Sequence, residues 1–343
     1  MSARGRNFDD QPGVTNVNFK QQVVAIGLGL AVTASASADV LLTGGTSGAY
    51  YNDIGPKVHE VLNGALFRYP LETGKGSGGN FSAIVENPMV VALGQADVYA
   101  LMNAQNPGKV VAVPTGVREC LFAVTANAGI AGEREGDGWG NMMSLAKRMR
   151  VALPGKESGS TKTFEFIQSV NERMAQVDNI AHYDSTDAAV NAVAIGQADV
   201  AFFVQMPDTR NPLFKQIKER ELRWIGVGDR KMLRQEVDGT KIYAVDTVPV
   251  EETWGGFGTP KTLTTTCTQV VVMTGDPSRT DVPDAETLDD QLELLKEKQG
   301  SYEPDADWYE DMVSKISSVS KSATESLLDA AEKASKAVNN ALN

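Results

Sequence analysis

Two stretches of the chain run through the same order of local signals, and that order constrains the fold more than any other feature. VLLTGGTSGAYYNDIGPKVHEVL passes from a short apolar segment, through a loop of glycine and small hydroxyl residues, into an amphipathic helix with Ile54, Val58, Val61 and Leu62 on one face. LFRYPLETG reads as the next strand, and KGSGGNFSAIVENPMVVAL as a second glycine-rich loop feeding a helix. Later, RMRVALPGKESGSTKTFEFIQSV is again strand, small-residue loop and helix, while DNIAHYDST ends a strand and leads into the helix DAAVNAVAI. Such alternation predicts an α/β protein whose mainly parallel sheets are covered by helices, with functional loops at the C-terminal ends of the strands. The pentapeptide GQADV occurs at 94–98 and again at 196–200. Each copy is expected to close a helix at a left-handed glycine and launch a strand, YALM after the first and AFFVQ after the second. On this reading GQADV is punctuation, not chemistry, and its duplication argues for two similar lobes with a ligand cleft between them.

The segment KVVAVPTGVRECLFAVTANAG reads as two successive strands with no helix between, so Thr115 to Arg118 are expected to cross into the second lobe. Gly132 to Gly140, including Trp139, reads as a surface loop. ELRWIGVGD is a further strand, and IYAVDTVPVEETWGGFGTPKTLTTTCTQVVVMTGD is the return crossing with an irregular loop. The end of the chain is helical, with apolar positions at Val313, Ile316, Val319, Ala323, Leu327, Ala331, Ala334 and Val338. Its apolar face is mostly alanine beyond Leu328, so exposed or frayed last turns are expected, with partner binding as the alternative. The expected division is a leader and signal peptide over 1–38, lobe 1 over 39–117 and lobe 2 over 118–225. A return crossing with remaining lobe elements follows over 226–300, then a helical C-terminal tail over 301–343. A chain of 343 residues is long enough for two domains.

Hydrophobic residues make up 42% and charged residues 22%, the balance of a soluble globular chain rather than a disordered or multi-span one. The net charge of -12, with no Lys/Arg stripe, argues against a nucleic-acid partner. FKQQVVAIGLGLAVTASASA has the layout of a secretory signal: a positive flank, an apolar run from Val23 to Val32 too short to span a bilayer, and small residues ending Ala36-Ser37-Ala38. Cleavage is expected after Ala38, giving an exported, periplasmic protein. A buried strand or helix is the alternative reading. The long leader over Met1 to Asn16 is explained if translation starts at Val17. In an exporting compartment disulfides persist. Cys120 and Cys267 each open a strand-like run, CLFAV and CTQVVVM, so either a bridge between neighbouring strands or two buried thiols fits.

Three loops could hold a ligand. In TGGTSGAYY, Gly44, Gly45 and Gly48 let backbone approach closely, the helix start offers unpaired N–H groups, Thr46 and Ser47 add hydroxyls, and Tyr50 and Tyr51 add flat area with a polar tip. GKESGSTK is its counterpart in the second lobe, with Ser158, Ser160 and Thr161 at a helix start; TGKGSGGN supplies Ser77 and Asn80. Tyr183, Gln205, Trp254 and Phe257 are further candidates, and Arg118 is either a carboxylate partner or a surface hinge charge. No loop spells a nucleotide phosphate cradle, no G-x-S-x-G elbow occurs, and two histidines and two cysteines never cluster as metal ligands. No cofactor, metal or catalytic residue is expected. His59 reads as an ordinary helix residue, and His182 as a strand-end residue that could touch a ligand.

GGTSGAYY after the first strand of an exported chain resembles the opening of the TAXI receptors, the solute-binding subunits of one class of TRAP transporters. GQADV after an apolar helix is similar to the G-x-x-D-[VL] of that family and of type 2 periplasmic binding proteins generally. The resemblance covers roughly Asp39 to Asp276, and Gly45, Thr46, Gly48, Tyr50 and Tyr51 match the family's first-loop pattern. The second loop, TGKGSGGNFSAIVEN, departs from the family's TGGS-like string, and the Ala/Ser/Lys-rich tail departs as well. The resemblance implies a Venus-flytrap receptor whose lobes close on a small solute, expected to be an organic acid or amino acid bearing a carboxylate, and present it to membrane permease subunits. An enzyme, or a sensory or partner-binding protein on the same two-lobe fold, is the alternative.

Overall fold

The computed structural model describes residues 40–45, 48–134, 136–237, 239–251 and 260–302. The signal segment, the tail beyond residue 302, Thr46, Ser47, Trp254 and Phe257 lie outside the described residues. The first run comprises β1 (Leu41–Leu42), a π-helical turn over Tyr50–Ile54 continuing into α1 (Gly55–Gly64), β2 (Leu71–Glu72), α2 (Ser77–Glu86), β3 (Val91–Gln95) and α3 (Ala96–Gln105). A long strand β4 (Val110–Thr125) leads to α4 (Ala128–Ala131) and α5 (Asp137–Leu145). The second run comprises β5 (Val151–Leu153), α6 (Gly159–Val170), β6 (Ile180–His182), α7 (Thr186–Ala194) and β7 (Val200–Gln205), followed by α8 (Pro212–Glu219) and β8 (Arg223–Gly226). Two short strands, β9 (Glu236–Val237) and β10 (Thr240–Lys241), pair with each other; β11 (Tyr243–Glu251), β12 (Lys261–Gly275) and α9 (Ala285–Glu297) complete the described chain.

The two runs build the same sub-sheet, which is what makes the lobes similar. β1 lies parallel between β2 and β3, and β5 lies parallel between β6 and β7. β3 then takes β12 as an antiparallel neighbour and β7 takes β4, while β12 and β4 pair with each other. The resulting order β2-β1-β3-β12-β4-β7-β5-β6 joins both lobes through two long antiparallel strands. β4 and β12 fall out of step in the middle: Arg118 pairs with Gln269 but Pro114 with Val271. Gly116, at φ 88°, and the Thr115 hydroxyl, which donates to the Val270 carbonyl at 2.8 Å and accepts from the Val117 amide at 3.1 Å, hold this bulge. Beyond this kink β4 pairs with β7 as well, over Cys120–Val124.

Helices cover both faces of each lobe. Leu41, Ile54, Val58, Leu93, Val272 and Leu295 pack beneath α1 and α9, and Phe81, Ile84, Ala92 and Met273 beneath α2 and α3. In the second lobe Trp139, Met142, Phe164, Ile167 and Phe202 fill one face. Phe122, Phe203, Phe214 and Trp224 fill the other, with Phe122 and Phe214 centroids 5.3 Å apart in an edge-to-face arrangement. Each buried Val, Leu, Ile, Phe or Met side chain contributes about 1.5–3 kcal/mol of transfer free energy. Cys120 and Cys267 are directly opposite on β4 and β12 and form a disulfide, which decides between the bridge and the pair of thiols.

Three local readings are corrected. The helix after the second glycine loop ends at Glu86 instead of continuing to Leu93, because Pro88 disfavours helical backbone at Asn87, which is extended at φ -132°, ψ 104°. Val91–Gln95 is therefore a strand, and YALM belongs to α3, whose Ala, Leu, Met and Gln content favours helix and whose first turn carries Asp97. The two GQADV copies thus sit at opposite ends of corresponding strands: the first ends β3 and starts a helix, and the second leaves α7 through Gly196, at φ +76°, and starts β7. Trp139 is not in a surface loop but on α5, 3% exposed, because its indole fills the core against the sheet.

Candidate functional site

The glycine-rich loops of the two lobes meet directly. In the first lobe, Gly76, at φ +97°, precedes α2; in the second, Ser158 caps α6 by accepting from the Thr161 amide at 3.2 Å. A methyl on Gly76 would lie 2.9 Å from the Ser158 Cα, so only glycine permits this approach. The Gly78 and Gly79 amides, at the start of α2, donate to the Glu157 carbonyl across the seam at 3.2 and 3.4 Å. The carbonyl of one lobe thereby takes the place an anion would occupy at the helix end of the other.

Beneath this seam lies a buried polar chain. Tyr50, brought inward by the π-helical turn, donates its hydroxyl to Glu119 Oε2 at 2.9 Å. Gln95 Nε2 donates to the same oxygen at 3.1 Å, and Ser77 Oγ donates to Gln95 Oε1 at 3.5 Å. The first residue of α6 is pressed against this chain: a methyl on Gly159 would come within 2.0 Å of Gln95 Oε1 and 2.8 Å of Ser77 Oγ. Burial drives the Glu119 carboxyl up from its ordinary 4.5 to about 7; the bonds from Tyr50 and Gln95 oppose this, and the nearby acid Asp97 adds to it. Burial, then the Glu119 charge, raises the Tyr50 phenol, with Ser77 acting the other way.

A second buried acid ties the lobes together. Asp97, fully buried at the start of α3, accepts from Thr163 Oγ1 of α6 at 2.6 Å and from the Tyr243 hydroxyl of β11 at 2.9 Å. Burial raises its carboxyl while these bonds and the Val98 amide hold it down.

The structure brings Tyr50, Ser77, Ser158 and Ser160 of the candidate residues to this junction; Ser160 Oγ accepts from the Val204 amide at 2.9 Å and holds α6 to β7. Gln205 ends β7 opposite Cys120. Asn80 is a brace: its amide nitrogen donates to the Thr43 and Leu93 carbonyls at 2.7 and 2.8 Å, fastening the ends of β1 and β3. Thr161 donates to the Pro154 carbonyl at 3.0 Å. Gly48, at φ +96°, accepts from the Tyr51 and Asn52 amides, whereas Gly45 and Tyr51 are exposed and outside the polar chain. Tyr183 packs on the second lobe's core beyond β6, and His182 Nδ1 lies 3.0 Å from the Pro154 carbonyl. Arg118 is half-buried beside Gln269.

Glu119, Gln95 and Asp97 were not among the candidates. A signal existed for Glu119, a carboxylate directly before the apolar run CLFAV. Gln95 and Asp97 were hidden by treating GQADV as a turn.

No protein-family model and no curated protein matches the sequence. Among solved structures, the chain is similar to the arginine-, lysine-, histidine-binding protein ArtJ of Geobacillus stearothermophilus, at 10% identity and a TM-score of 0.45, over 81% of this chain and 96% of that one. It is also similar to a histidine kinase sensor domain with similarity to periplasmic binding proteins, at 13% identity and a TM-score of 0.44, over 81% and 95%. The GluR0 ligand-binding core in complex with L-glutamate is similar at 11% identity and a TM-score of 0.43, over 78% and 96%. No helix among the described residues is long and apolar enough to cross a membrane.

Proposed function

We propose that this chain is an exported solute-binding receptor that captures a small carboxylate-bearing solute between its lobes and delivers it to a membrane permease. The observation that carries the reading is the seam itself: two glycine-rich helix starts from opposite lobes, closed over the buried chain Ser77, Gln95, Glu119 and Tyr50. Such a seam can exchange its internal contacts for contacts to a solute. When the lobes part, the Gly78 and Gly79 amides lose the Glu157 carbonyl and present two donors at a helix N-terminus, a fitting cradle for a carboxylate. A solute touching both lobes only in the closed state stabilises closure by that difference in affinity. The β4 and β12 kink at Thr115–Val117 supplies the hinge, with lobe 1 over 39–117 and lobe 2 over 118–225.

Within this reading the signal segment directs export with cleavage after Ala38, and the resemblance of GGTSGAYY to TAXI receptors points to a TRAP-type permease as the partner. Gly45, Thr46, Ser47, Gly48, Tyr51, Arg118, Tyr183, Gln205, Trp254 and Phe257 complete the proposed solute-facing set around Tyr50, Ser77, Asn80, Ser158, Ser160 and Thr161.

A thermal-shift screen of organic acids and amino acids tests the proposal. A solute at 100 times its Kd adds about 2.7 kcal/mol to stability, which at roughly 2.1 cal/mol/K of unfolding entropy per residue raises the Tm of a chain of this size by about 4 °C. A screen in which no member raises Tm would remove the reading.

A further inference from the structure

Glu119 is a buried acid on the strand beneath the seam, and its surroundings are electrically incomplete. It is 8% exposed and receives two hydrogen bonds, from Tyr50 and Gln95, both on Oε2. Among the described residues no cation faces it. From α3 it meets a second acid, Asp97; from the π-helical turn, the neutral Tyr50 phenol. Across the seam, Lys162 of α6 is paired with Glu165 at 3.1 Å. On its own strand Arg118 follows the alternation of β4 and points to the opposite face. Two donated bonds favour an ionised carboxylate, but a buried carboxylate without a countercharge is costly, and the missing partner is a positive group.

We infer that Glu119 selects a solute carrying a protonated amine, and that the ammonium completes the polar chain by pairing with the Glu119 carboxylate as the lobes close over it. The inference rests on the solute-receptor reading and narrows it: a simple organic acid offers Glu119 only a second negative charge, whereas an amino acid offers a carboxylate to the freed amides of α2 and an ammonium to Glu119. The solute must also displace the Gly159 backbone from its approach to Gln95 and Ser77, so selection takes place on the opened form. Gln95 and Tyr50 are positioning residues, fixing the carboxylate oxygen that the ammonium meets.

The test uses calorimetric titration of matched pairs that differ only in amine against hydroxyl: L-alanine with L-lactate, L-glutamate with L-2-hydroxyglutarate, and L-leucine with L-2-hydroxyisocaproate. Each is titrated at pH 6 and pH 8 into the wild-type protein and Glu119→Gln, a substitution that keeps an oxygen to accept from Tyr50 and Gln95. The expected result is that in at least one pair the amine binds the wild type tenfold or more tightly than its hydroxy partner at pH 8. That advantage should shrink at pH 6, where Glu119 holds a proton, and fall within twofold in Glu119→Gln. Equal binding of hydroxy acids and amines, or an amine preference that survives Glu119→Gln, overturns the inference while leaving solute capture standing. Failure of every pair to bind the wild type overturns the inference, and failure of the wider screen removes the receptor reading with it.

Discussion

Replacing Glu119 with glutamine should change the pH dependence of stability in a direction opposite to the one expected of most carboxylates. The folded-state value of about 7 lies above the ordinary 4.5, so between these limits the native protein holds a proton that the unfolded chain has released. Stability from this group is fully present below pH 4.5 and is lost as pH rises through 7. The window is about 2.5 pH units at 1.36 kcal/mol each, which makes the loss roughly 3 kcal/mol. In Glu119→Gln nothing titrates at this position, and any fixed cost of the buried amide is the same at every pH. The assay is urea unfolding of both proteins at half-unit steps from pH 4.5 to 8.5, read as the difference between the two curves. Every ionisable group other than residue 119 is common to both proteins and drops out of the difference. The wild type should lose about 3 kcal/mol relative to the variant across the window, flattening above pH 7.5. Parallel curves, within 0.5 kcal/mol throughout, would show that Glu119 is solvated and that the junction is not the dry, closed chain described above.

Other substitutions probe separate parts of the same arrangement. Gly76→Ala places a methyl 2.9 Å from the Ser158 Cα and a side chain at φ +97°, so hydrogen exchange at the Gly78 and Gly79 amides, which bond across the seam, should accelerate at least tenfold while core amides of β7 stay protected. Replacing both Cys120 and Cys267 with alanine removes a cross-link between residues 147 apart, and chemical denaturation should show a loss of about 3–5 kcal/mol, with the same loss on reducing the wild type. Asp97→Ala leaves the buried hydroxyls of Thr163 and Tyr243 without their acceptor and should cost about 2–4 kcal/mol in the same assay.

The sequence made the architecture legible where periodicity and loop chemistry agree. Small-residue loops after β1 and β5, helix faces such as Ile54, Val58 and Leu62, and apolar runs around both cysteines predict two βα lobes and two crossing strands, and the sheet order bears this out. What was not legible is where a short apolar run can be helix or strand. VENPMVVALGQADVYALM carries both options, and the outcome turns on Pro88 ending α2 and on the ladder that β3 forms with β1 and β12, a non-local event. α9 was not singled out, although Asp284 at its start, accepting from the Thr287 amide at 3.0 Å, is an ordinary capping signal. The site was half legible for a related reason. Small hydroxyl and glycine residues announce a loop that can approach a ligand, whereas Glu119, Gln95 and Asp97 acquire their character from burial, which only the assembled lobes confer.

The most direct test of solute capture at the junction is a titration in which the site is filled by the protein itself. Gly159→Val places a branched side chain against Gln95 Oε1 and Ser77 Oγ, where a methyl already comes within 2.0 and 2.8 Å. With the best solute from the thermal-shift screen, calorimetry should give one binding event per wild-type chain and at least a hundredfold weaker binding to Gly159→Val, with the far-ultraviolet circular dichroism spectrum unchanged. Wild-type affinity in a folded Gly159→Val protein would contradict the account and place the solute elsewhere.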